Sequence, residues 1–197
     1  MIKASTVLPR PFTVNDIRVG TALFAVLVAH AREKPGQTVF YGDLLDQARA
    51  RFPEDAEVDR AVPIGIGMKL LFVEAFCKAH GYPNLACLAV NRGKRIPGLA
   101  YPGDWEREMR EVAEFNWDEV QPVLDAYVGE AIVAATPLRP ISREKALEIR
   151  YKHFTDNRPA YAPLTESERE EIVNILMSGV DVERALAMVL EAKAALA

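Results

Sequence analysis

Residues 19–31 run for thirteen positions without a charged side chain, broken only by Gly20, Thr21 and His30. A bilayer span needs about 20 apolar residues, so this run reads as one buried helix around which the rest of the chain must pack. Its start is marked twice: Thr13 is placed as N-cap with Asp16 three residues on, and Phe12 and Ile17 form a hydrophobic staple. Ile17, Thr21, Phe24, Val28 and Ala31 recur at helical spacing, and Pro35-Gly36 ends the run. The chain has 197 residues, 50% apolar and 26% charged. That is a globular composition, not a disordered, collagen-like or coiled-coil one, and its length favours one domain with or without an appendage. The first residues carry one lysine with no apolar stretch behind it, unlike a signal peptide. Two cysteines form no disulfide framework and fit a reducing compartment. The expectation is a cytoplasmic protein without a membrane partner.

Further elements follow in order. A helix over residues 42–51 turns Leu44, Leu45 and Ala48 inward, and the charged residues 51–60, with Pro53, read as a loop. A helix over 64–80 carries Leu70, Leu71, Val73, Phe76 and Cys77, and Gly81 is placed to stop it. Residues 85–91 read as a strand, 92–94 as a turn, and Ile96 as the start of a returning strand that Pro97 confines to a sheet edge. Asp104 caps an acidic helix to 115, and 117–135 continues as helix or mixed structure. Residues 136–140 look like a linker. Helices are expected over 141–154, from Thr165 with Glu168 as a capping box, and from Asp181 nearly to the end, with Gly179 between the last two.

The net charge of −4 hides an asymmetry. Residues 60–103 hold Arg60, Lys69, Lys78, Arg92, Lys94 and Arg95 against Glu74 alone, net +5, whereas residues 104–130 hold nine acids against Arg107 and Arg110, net −7. A basic block with a helix, a strand and a turn is what a small nucleic-acid-binding face needs, because each Lys or Arg on a phosphate releases a counterion. The other account is that the turn is simply solvated and pairs with the acidic helix from Asp104.

The order Thr38-Val-Phe-Tyr41-Gly42-Asp43-Leu44, then a glycine-bearing helix, then Gly81-Tyr-Pro83 and Val90-Asn91-Arg-Gly93 resembles the DNA-binding domain of the alkylguanine–DNA alkyltransferases and alkyltransferase-like proteins. The likeness spans about residues 38–98. It implies a winged-helix-like fold, places Tyr41 against a nucleotide phosphate, and matches Arg60-Ala61-Val62 to the family's intercalating-arginine segment, although Pro63 follows. The chain departs from the family where chemistry would occur. Aligning Val90-Asn91 puts Ala86 at the alkyl-accepting cysteine, Cys87 at the histidine and Leu88 at the arginine. Without a thiolate beside an activating histidine there is no acceptor nucleophile. A second run, residues 76–91 with Pro97-Gly98 and Phe115-Asn-Trp117, is similar to uncharacterised proteins of phages and mobile elements, which implies a bacterial or phage origin and no activity.

On residue pattern alone, a capped helix, a loop, a second helix and a hairpin with a basic tip is the order of a winged helix, its helix entering the major groove and its tip meeting phosphates. Lys69 and Lys78, nine residues apart, lie on opposite faces and do not share one groove. Cys77, His80 and Cys87 supply three ligands where structural zinc takes four, and a buried thiol is the plainer account. A Cys87–His80 catalytic pair lacks an orienting group. Gly65-x-Gly67 lacks the third glycine and preceding strand of a phosphate loop. Glu106, Glu108, Glu111 and Glu114 read as a solvated face. The last two helices have apolar stripes and an acidic entrance, which suits a packed helical hairpin better than a DNA-binding one.

The expected fold is α+β and mostly helical: a winged-helix-like core with a short β-hairpin and an acidic helical segment over residues 1–135, and a C-terminal helical appendage over 141–197. The expected function is non-enzymatic nucleic-acid binding, with Tyr41, Arg60, Arg92, Lys94 and Arg95 on the backbone and Asn91 shaping the turn. No cofactor or metal is expected. The alternative is a protein-interaction module, binding a protein partner or forming a homo-oligomer through the acidic segment and the C-terminal helices.

Overall fold

A computed structural model describes residues 12–93, 95–97, 104–135 and 139–196. The chain is mostly helical with one two-stranded sheet. Helix α1 (Val14–Glu33) starts on the capping box, with the Thr13 hydroxyl accepting from the Asp16 amide and the Asp16 carboxylate accepting from the Thr13 amide. It has the length and hydropathy to cross a membrane, yet 61% of that stretch is buried inside the protein, as a core helix requires.

The partner of α1 is α4 (Ile66–His80). The two approach closely at Gly20, where a Cβ would meet the Lys69 carbonyl oxygen and Phe72 at 2.8 Å. Around this crossing α6 (Gln121–Ala135) and the segment before it close an aromatic core. Phe24 meets Phe76 edge-on at 5.2 Å, Phe76 meets Tyr127 at 5.3 Å, and Phe115 meets Trp117 at 4.7 Å. Such pairs add about 0.5–1.5 kcal/mol each beyond the area they bury. Helix α5 (Trp105–Glu114), capped by Asp104, is tied in where the Trp105 indole donates to the Cys87 carbonyl at 2.9 Å.

The sheet differs from the expected hairpin. Strand β1 (Val39–Phe40) pairs in parallel with β2 (Ala89–Val90), Val39 opposite Ala89 and Phe40 opposite Val90. Residues 85–88, expected as strand, form a 3-10 turn because the Asn84 side chain accepts from the Ala86 amide and all four residues are buried. A short apolar run buried on every side carries no period to separate strand from helical turn. Ile96 does not return as a strand: the Asn91 amide donates to its carbonyl and the Arg95 amide donates back to Asn91, closing a turn. Arg95 takes the left-handed conformation, φ 55°.

Helix α2 (Tyr41–Arg51) begins one residue before its expected start. The stretch expected as loop contains α3 (Ala56–Arg60), because Asp55 accepts from the amides of Glu57 and Val58 and caps it. Beyond residue 138, α7 (Arg143–Asp156), the short α8 (Arg158–Tyr161), α9 (Glu166–Met177) and α10 (Val182–Leu196) enclose a second apolar cluster around Tyr161, Ile172 and Leu176. The capping box of Thr165 and Glu168 opens α9, and Gly179 turns the chain at φ 91° where the Arg139 backbone would meet a Cβ at 2.6 Å.

Candidate functional site

The basic turn forms at the end of β2. The Asn91 side chain accepts from the Gly93 amide at 2.7 Å, which bends the chain outward and leaves Arg92 and Arg95 exposed. The Arg92 guanidinium lies 4.7 Å from the Phe40 ring centre and donates to Asp43 at 2.7 Å. Both partners of that ion pair are solvated, with the Arg92 side chain 70% exposed. Asn91, Arg92 and Arg95 therefore stand together beside the start of α2. Lys94 lies outside the described residues. Tyr41 is the first residue of that helix and is 9% exposed. Arg60 is not on this face: it ends α3, where its carbonyl accepts from Asn174 of α9 at 3.1 Å.

Helix α4, expected to enter a major groove, is a core element. Ile66, Lys69, Leu70, Phe72, Val73, Ala75, Phe76 and Cys77 are all buried. Its apolar stripe leaves no polar face long enough to read base edges. The second helix of the winged-helix order is thus present in sequence position but packed inside.

Lys69 is the unexpected member of that stripe, 2% exposed. Its ammonium donates to Glu171 at 2.9 Å and lies 3.5 Å from Asp16. Asp16 also accepts from the Thr13 hydroxyl at 2.8 Å, and Glu171 from Asn174 at 3.1 Å. Burial alone would lower the Lys69 pKa, but the two carboxylates outweigh it and hold the group above the ordinary lysine value. These contacts join α1, α4 and α9. The signal was in the sequence: Lys69 sits three residues after Ile66 and four before Val73, on the apolar face.

Above this ion cluster, between α4 and α10, a cleft of about 460 Å³ opens. Ile64, Met68, Leu71, Ile175, Met188 and Val189 supply apolar walls, and Tyr41 and Pro97 also line it.

Cys77 and Cys87 are free and buried, and burial pushes each up to about 12. The His80 ring is engaged by the Phe76 carbonyl at 3.0 Å and stacks on Tyr82 at 5.8 Å. Both cysteines are expected to react with a disulfide reagent at pH 8 only as fast as the native structure opens, and at once in denaturant. Stopped-flow labelling checks this, and a native thiol consumed as fast as in denaturant would restore the cysteine-enzyme reading. Among the described residues no group of three or more His, Cys, Asp or Glu is arranged to hold a metal ion. Burial raises the Glu108 carboxyl, with Glu74 and Glu111 adding to the effect. No protein-family model, curated protein or solved structure matches the chain.

Proposed function

We propose that the chain is a non-enzymatic nucleic-acid-binding protein that holds the phosphate backbone through the basic turn at the end of β2. The observation carrying this reading is the pairing of exposed Arg92 and Arg95 on one turn beside the start of α2. The Arg92–Asp43 pair is no obstacle. An exposed pair contributes about 0–1 kcal/mol, so a phosphate can replace Asp43 at little cost. With α4 buried, the contacts are to backbone, which favours binding with little sequence preference on a winged-helix-like scaffold. The likeness to phage and mobile-element proteins supports an origin in such an element.

Fluorescence anisotropy with labelled duplex DNA, single-stranded DNA and RNA tests the reading. Affinity is expected to fall steeply with salt. Replacing Arg92, Lys94 and Arg95 together by Ala should lower the log–log salt slope on duplex by about 2.7, the value for three phosphate contacts. Absence of binding at low salt, or an unchanged slope in the triple variant, overturns it. The second reading is a protein-interaction module acting through the acidic segment and the C-terminal helices, where Tyr151 on α7 is an aromatic side chain 68% exposed. Its signature is a mass that rises with concentration in light scattering while no nucleic acid binds.

A further inference from the structure

We infer that the cleft between α4 and α10 binds a small amphipathic cation, an apolar body carrying one protonated amine. This does not rest on the nucleic-acid reading. The volume, about 460 Å³, lies within the roughly 300–1,000 Å³ of small-molecule sites. Gly67 keeps the α4 wall back: a Cβ built there meets nothing within 4 Å. The charged residues along the cleft are Asp16, Glu74, Glu171 and Glu191 against Lys69 and Arg184. Lys69 is committed to Glu171 and Asp16, and Arg184 faces Glu191 at 3.7 Å. The surplus is negative, and it is set in apolar walls where water screens it poorly. Glu74 is the carboxylate best placed to meet a ligand's charge. Burial raises its pKa, with Lys78 opposing, so a cation arriving beside it offsets part of that desolvation. An anion of the same shape would meet a like charge instead.

Methyl-labelled methionine resonances give a direct readout, because Met68 and Met188 line the cleft while Met109 and Met177 do not. The probes are 4-phenylbutylamine, 4-phenylbutan-1-ol and 4-phenylbutanoate, alike in shape and differing in charge. The amine is expected to shift Met68 and Met188 saturably, with Met109 and Met177 unmoved. Its affinity should exceed that of the alcohol about tenfold, or roughly 1.4 kcal/mol, and the carboxylate should bind more weakly still. Glu74→Gln should narrow the preference of amine over carboxylate. Gly67→Leu projects into open space on a helix and should keep the thermal midpoint while abolishing binding. The inference falls if no probe shifts Met68 or Met188 at millimolar concentration, if the carboxylate binds as well as the amine, or if Gly67→Leu folds and still binds.

Discussion

Lys69→Met is expected to lower the stability of the chain by about 3–5 kcal/mol. Methionine keeps the length and flexibility of the lysine stem, so the packing of α1 against α4 changes little. What changes is charge. Asp16 and Glu171 remain buried, at 7% and 3% side-chain exposure, and lose the ammonium that compensates them. Their remaining hydrogen bonds, from Thr13 and Asn174, satisfy lone pairs without neutralising charge. Urea unfolding at pH 7 should show the loss as a lowered midpoint. Lys69 is raised above its unfolded value, so its contribution is fully present below about pH 10.4 and is lost as pH climbs through the folded value. A loss below about 1 kcal/mol at neutral pH would mean that water reaches the cluster. Replacing all three members together with apolar residues of similar volume is expected to recover most of the loss.

The elements that were legible in the sequence are those whose cause is local. Thr13 with Asp16, Thr165 with Glu168, and the caps Asp104 and Asp181 each act over three residues, within the reach of a pattern. Gly81 at φ 68° is likewise a single-residue signal. The illegible elements depend on contacts distant in sequence. Strand β2 pairs with β1 across 50 positions and in parallel, so no hairpin rule applies to it. The Arg92–Asp43 pair spans 49 residues and the Lys69–Glu171 pair 102. Residue type showed the basic turn, but whether an arginine there is exposed, paired or buried was set by α2. The same limit applied to α4. Its apolar residues were visible, but that α1 covers one side and the C-terminal helices another depends on partners that periodicity does not name. Lys69 on the stripe was the single local hint that another unit packs there.

Gly65 and Gly67 stand two residues apart, and alanine is expected to act oppositely at the two positions. At Gly65 an added Cβ would lie 2.1 Å from the carboxyl carbon and one oxygen of Glu171. Glu171 is no free surface chain that can swing aside: it holds Lys69 at 2.9 Å and accepts from Asn174 at 3.1 Å. Moving it breaks those bonds or pushes α9 away from the 3-10 turn at Pro63–Gly65. Overpacking of this kind costs about 1–3 kcal/mol, and weakening a buried ion pair adds to it, so about 3 kcal/mol is expected for Gly65→Ala. At Gly67, inside the first turn of α4, the Cβ meets nothing within 4 Å and the backbone is ordinary helix. There alanine restricts the unfolded chain without a clash in the folded one, a gain of about 0.5 kcal/mol. Paired denaturant curves read both at once. If Gly65→Ala were as stable as the native chain, the Glu171 carboxylate would have to sit elsewhere in solution, and the join between α4 and α9 would not depend on it. If both substitutions destabilised equally, the helix start and not the Glu171 contact would be the sensitive element.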